Sequence, residues 1–221
     1  MVDPNTSTKR PGRLSRSFDY TGAVAKVCED VCFRVPELNH IDMSRVAVAF
    51  SQTRHSAPFG VFASTVPLRF ENGESLKFSR EKHWQIQRCL RSDGVEYLYI
   101  LYFFVPRFID LKFRDKLETV VHELYHINPG FNGDLRRFKG RCFAHGSSQK
   151  RYDAMVRTFV DKWLKRDPPP EIWDFLNMNY KELVARFGGV HGTRIPMPKV
   201  VPVSTTTIVK GEEPAASTSG S

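Results

Sequence analysis

Cysteine is scarce in this sequence: Cys28, Cys32, Cys89 and Cys142 are the only four among 221 residues, and no two stand as Cys-x-x-Cys. Neither a disulfide framework nor a zinc ribbon is suggested, and the four read as reduced, mostly buried thiols. Cys28 and Cys32, one helical turn apart, read as two small apolar side chains on one face. Long apolar runs are missing as well. The longest, Tyr97 to Val105, falls far short of the roughly 20 residues that cross a bilayer. The N-terminal stretch is polar and basic and has no hydrophobic signal region. The expectation is a cytoplasmic protein with no membrane partner. Acidic charge is also in short supply, 24 Asp and Glu against 33 Lys and Arg, which leaves a net +9. Such a field favours contact with nucleic acid or another polyanion. Part of it comes from Lys9, Arg10, Arg13 and Arg16, which read as solvated.

What the sequence does have is enough apolar material, 41%, for one sizeable core, and its length favours one domain with tails. Residues 1–17 mix Pro, Thr, Ser, Gly and Arg and are expected to form a disordered basic arm. Residues 18–197 form the domain, and residues 198–221 a disordered tail. Within the domain, Val24, Val27, Val31 and Val35 are spaced for a helix that Pro36 stops. Arg45 to Ser51 and Gly60 to Phe70 read as strands, followed by a turn at Glu71-Asn72-Gly73. Lys82 to Leu90 and Val95 to Val105 flank Ser92-Asp93-Gly94 and predict a hairpin. Its second arm is apolar on both faces, so it predicts an inner strand closed by Pro106. Tyr152, Met155, Val156, Phe159, Val160 and Trp163 form a helical stripe capped at Ser147 or Ser148 and broken at Pro168-Pro169-Pro170. A last helix is expected from about Glu171 to Phe187, ended by Gly188. The fold class is α+β, with a small, mostly antiparallel sheet packed against helices.

The chemistry sits in Val120-Val121-His122-Glu123-Leu124-Tyr125-His126-Ile127, an HExxH pattern. Residues four apart share one helix face, so His122 and His126 can reach one metal ion. Glu123 lies about 100° further round, where it can meet a water rather than the metal. Zinc suits such a site: imidazoles bind it, an open position holds water, and the water's pKa falls to about 7. The surroundings predict a helix with a separate buried stripe, Phe113, Leu117, Val120, Leu124 and Ile127, and a cleft-facing stripe, Asp115, Thr119, His122 and His126. Asp110 is the expected N-cap, and Asn128-Pro129-Gly130 the stop.

A catalytic zinc takes three protein ligands. His145, between Ala144 and Gly146 just ahead of a helix, is the leading third ligand, with Asp134 and Asp153 as substitutes. A carboxylate that is not a ligand could orient an imidazole from behind. The metzincin spacing is not met, because Pro129 and Asn132 stand where its glycine and third histidine belong. The thermolysin arrangement is not met either, since Glu171 and Glu182 lie after the triple proline. A small zincin with a distant third histidine remains.

The element order, the HELYHI helix and a Gly/Arg-rich loop ending in His145-Gly146 resemble the phage-type metallopeptidase family of viruses and prokaryotes. More distantly, they are similar to SprT-like minimal zincins. The resemblance covers roughly Phe18 to Leu164, and its specific part is His122-Glu123-x-x-His126-Ile127. It implies a minimal zincin-like domain and a zinc metallopeptidase, with His122, His126 and His145 as ligands, Glu123 as general base and a protein or peptide as substrate. The peptide would lie extended along an edge strand. A second class of function is a basic nucleic-acid-associated protein with a structural metal, or a SprT-like protease acting on DNA-bound proteins. Its sequence support is the charge and the run Arg136-Arg137-Phe138-Lys139-Gly140-Arg141. That run also reads as a solvated loop beside the site, making weak nonspecific nucleic-acid contact.

Overall fold

A computed structural model describes residues 17–52, 60–138 and 148–203. A short strand β1 (Phe18–Asp19) leads into helix α1 (Tyr20–Arg34), whose N-cap Asp19 accepts the Gly22 N–H at 3.0 Å. Val24, Val27, Cys28, Val31 and Cys32 line its buried face, and Pro36 follows directly on the C-cap, Val35. Both cysteines are thus buried thiols, as the spacing predicts, and burial pushes the Cys28 pKa up to about 12.

Strands β2 (Val46–Gln52) and β3 (Ala63–Pro67) come next, then β4 (Leu76–Ser79), β5 (Lys82–Ile86) and β6 (Tyr99–Val105). The central sheet runs β2-β6-β3. β6 is its inner strand, and alternation explains its unbroken apolarity. Tyr99, Leu101, Phe103 and Val105 enter the main core, while Ile100 and Tyr102 join Ala47, Ala49 and Leu68 on the other face. The sheet is mixed rather than mostly antiparallel, because β2 and β6 run parallel.

The hairpin expected across Ser92-Asp93-Gly94 is reduced to its tip. Gly94 takes the positive φ of 86° the turn needs, but pairing ends at the Leu90 to Glu96 bridge. β6 then finds longer partners in β2 and β3, while β5 pairs with β4 instead. The β4-β5 turn is made by Arg80 and Glu81, both at positive φ. No glycine or asparagine announces it.

Helix α2 (Phe113–Tyr125) carries the motif and packs on α1, β3 and helix α3 (Gln149–Leu164). Ser148 caps α3, accepting the Arg151 N–H. Asp110 does not cap α2. The N-cap is Lys112, and the Asp110 carboxylate instead accepts the Tyr180 N–H at 3.0 Å. The expected last helix is broken into α4 (Pro170–Trp173), a 3-10 turn over Asp174–Asn177 and α5 (Tyr180–Phe187). Asn179 and Glu182 form a reciprocal capping box that starts α5 afresh, and Gly188 ends it at φ 75°. β7 (Val190–His191) pairs with β1, and β8 (Val200–Val203) adds to β5. Residues 200–203 are therefore a strand rather than tail, with Pro202 tolerated on an edge. The expected arm, apart from Ser17, and the tail from 204 lie outside the described residues. Among the described residues no helix is long and apolar enough to cross a membrane.

Candidate metal centre

His122 and His126 project from the last turn of α2, and their Nε2 atoms lie 3.0 Å apart. Two nitrogens each about 2.0–2.1 Å from one tetrahedral zinc are separated by about 3.3 Å, so the pair converges at ligand spacing. The helix is held there by its buried stripe, Leu117, Val120, Val121 and Leu124. Lys116 adds a buried tie, donating to the Leu176 and Met178 carbonyls at 2.8 and 2.7 Å.

Glu123 is 7% exposed. The Thr65 hydroxyl oxygen of β3 lies 2.8 Å from its Oε2 and 2.7 Å from its own backbone carbonyl. Burial pushes the Glu123 pKa up to about 7, against the opposing effect of the Thr65 hydroxyl and N–H. A carboxyl tuned to that range can both take and return a proton near neutral pH. Glu123 and His122 open onto a cleft of about 440 Å³. One wall is Gly60, Val61, Phe62 and Ala63; the floor is Asp115, Glu118 and Thr119 of α2; the far side is Asp153, Val156 and Arg157 of α3.

Among the described residues, the cleft wall is a strand edge with no strand paired to it. β3 is a terminal strand of its sheet among the described residues; Phe62 accepts the Phe104 N–H of β6, and the Leu68 N–H donates to Leu98, the residue just ahead of β6. Antiparallel alternation then turns the backbone groups of Ala63 and Thr65 away from β6, toward α2 and the cleft.

Tyr152 of α3 lies against both imidazoles, with its ring centroid 4.9 Å from His122 and 5.7 Å from His126, and its hydroxyl donates to the His122 carbonyl at 3.3 Å. Sequence periodicity placed Tyr152 on a core stripe, and nothing local showed that the stripe faces the histidines.

The segment after α2 folds back onto it. Arg136 donates its N–H to the His126 carbonyl at 2.6 Å and its Nε to the Tyr125 carbonyl at 2.8 Å, with its guanidinium 4.1 Å from the Tyr125 ring centre. A cation on the last carbonyls is the favourable end of the helix dipole. Arg137 pairs with Asp134 at 3.0 Å, and Phe138 packs on Tyr125 and Tyr152. The first half of the basic run is thus part of the folded domain, not a solvated loop; Lys139 to Arg141 lie outside the described residues.

The three candidates for a further ligand fare differently. His145 lies outside the described residues. Asp134 is buried and committed elsewhere, its carboxylate accepting from the Asn72 and Leu135 N–H groups and from Arg137. Asp153 does line the cleft, where it accepts from Gln149 at 2.7 Å. Among the described residues no third His, Cys, Asp or Glu joins the pair as a metal group. His40, His83 and His191 stand elsewhere in the fold, and His191 bonds Ser17 at 2.8 Å; His55 lies outside the described residues. No protein-family model, no curated protein and no solved structure matches the chain.

Proposed function

We propose that this chain is a zinc-dependent metallopeptidase of the minimal zincin type, with His122 and His126 as zinc ligands, His145 as the third and Glu123 as the general base. The observation that carries this reading is the convergence of the two Nε2 atoms, 3.0 Å apart, beside a buried glutamate whose pKa is pushed up to about 7. Zinc held there supplies a Lewis acid and lowers the pKa of water to about 7. Glu123 takes the proton from the attacking water and delivers it to the leaving amine nitrogen. Thr65 fixes one carboxylate oxygen and so sets the direction of that transfer. Tyr152 holds the two imidazoles from behind. An extended peptide adds to the edge of β3 at Ala63, beside the cleft that His122 and Glu123 line.

The test joins metal analysis to hydrolysis of an unfolded polypeptide such as casein. One zinc per chain is expected in the parent protein and in Glu123→Gln, with hydrolysis lost only in the variant, because an amide cannot accept the proton. His126→Ala is expected to lose the metal. A Glu123→Gln protein that cleaves at the parent rate, or zinc content unchanged by removing both histidines, would overturn the reading.

A further inference from the structure

Tyr20, the first residue of α1, is 1% exposed, with its ring held edge-on against Phe108 and Phe175. Its hydroxyl is buried without a hydrogen-bond partner. An unpaired buried hydroxyl costs about 1–3 kcal/mol, and folded proteins keep few of them. Tyr20 lines a cavity of about 240 Å³ that shares no residue with the His122 cleft. At the rim, Arg194 donates to the Gln52 side-chain oxygen at 3.1 Å and rests over the Phe50 ring at 5.2 Å. Both contacts hold the exposed guanidinium at the mouth of the cavity.

The polar groups around this space share one character. The Tyr20 and Tyr180 phenols, the Arg194 guanidinium and the Gln52 amide NH₂, whose oxygen is already used, can all donate, and among the described residues no Asp or Glu lines the cavity. Burial, then the charge of Asp110, keeps the Tyr20 phenol protonated and so a donor. The Asp110 carboxylate accepts the Tyr180 N–H and is not among the residues that line the cavity. Phe50, Val105 and Pro106 give the remaining wall an apolar surface. Donors and apolar side chains lining one small cavity match a planar anion with an apolar body. At about 30 Å³ per water-sized unit, 240 Å³ accommodates a molecule of about eight heavy atoms.

We propose that this cavity is a binding site for a small monocarboxylic acid, with its carboxylate held by Arg194 and the Tyr20 hydroxyl and its apolar part against Phe50, Val105 and Pro106. The proposal does not depend on the metal centre. Benzoate is the probe, titrated calorimetrically into the full-length protein, with neutral benzamide as control. Saturable binding of benzoate is expected with a Kd below about 1 mM, at least about tenfold tighter than benzamide. Tyr20→Phe is expected to weaken benzoate binding about tenfold, the effect of one lost charge-assisted hydrogen bond. Without ligand it should unfold at the same or a higher temperature, since it removes an unpaired group. Arg194→Met, a change at an exposed rim, is expected to abolish binding while leaving the unfolding temperature unchanged. No saturable binding, equal affinity for benzamide, or unaltered affinity in Arg194→Met would overturn the proposal, the last even if Tyr20→Phe failed to fold. An acetylated dipeptide with a free C-terminal carboxylate that bound far more tightly than benzoate would overturn it in favour of a chain end.

Discussion

The hydroxyl oxygen of Thr65 sits 2.8 Å from the Glu123 carboxylate and 2.7 Å from the Glu123 backbone carbonyl. A hydroxyl has one proton and a carbonyl can only accept. When the Thr65 proton goes to the carbonyl, the contact with Oε2 is satisfied by a protonated Glu123 donating to Thr65. When Glu123 is ionised, the hydroxyl turns to the carboxylate. Either arrangement ties the general base of the proposed reaction to the strand that forms the cleft wall.

Thr65→Val keeps the shape of the side chain and removes the hydroxyl. It is expected to cost about 1–3 kcal/mol of stability, because the buried Glu123 carboxyl and carbonyl lose the one hydroxyl they share. Hydrolysis should fall through kcat with KM little changed, and Thr65→Ser should restore most of both quantities. Thermal unfolding and steady-state kinetics on the three proteins check this. A Thr65→Val enzyme with parental kcat would show that the contact does not orient Glu123.

The pH dependence of stability follows from the Glu123 pKa, raised from an ordinary 4.5 to about 7. The folded metal-free protein binds more protons than the unfolded chain between those values. This contribution is fully present below pH 4.5 and lost as pH rises through 7, with a total of about 3 kcal/mol. Denaturant unfolding of chelator-treated protein is expected to show that decline, and Glu123→Gln to lack that part of it. Identical pH profiles for the two proteins would rule out the raised pKa.

Arg136 caps the carbonyls of Tyr125 and His126, so neutralising it should not leave the metal site untouched. Arg136→Met is expected to destabilise the fold by about 1–2 kcal/mol through the lost hydrogen bonds and dipole interaction. Zinc affinity should weaken along with stability, because His126 is the residue at the capped end. Competition with a chromophoric chelator measures the second effect, and parental affinity in a destabilised variant would separate the cap from the ligand.

Contact with DNA or RNA is expected to be weak, sequence-independent and salt-sensitive. Log affinity should fall with log salt at a slope of about −0.9Z for Z neutralised phosphates on duplex DNA. Removing residues 1–17, which hold Lys9, Arg10, Arg13 and Arg16, should flatten the slope. Anisotropy titrations over a salt series report it, and tight binding that survives high salt would favour the nucleic-acid class of function.

Local pattern determined much of this protein. The apolar spacing of α2 and the four-residue separation of His122 and His126 depend only on helix geometry over one stretch of chain, although the helix ends at Tyr125, ahead of the stop expected at Asn128-Pro129-Gly130. α1 ahead of Pro36, the cap at Ser148 and the two-faced apolarity of β6 were legible for the same reason. In each case the backbone period alone decides which side chains share a face.

Tertiary structure alone decided the partners. Ser92-Asp93-Gly94 turns the chain as its residues dictate, yet which strand lies beside β6 depends on whose edge offers the longer ladder, and that was β2 and β3. Asp110 carries the chemistry of a cap but serves α5, 70 residues away, because packing brings Tyr180 to it. Thr65 meets Glu123 across 58 residues, and Tyr152 meets His122 across 30. A hydroxyl or a guanidinium has the same local signature wherever it sits. Its role is set by the surface folded against it, and that surface is assembled from parts of the chain that no local window contains.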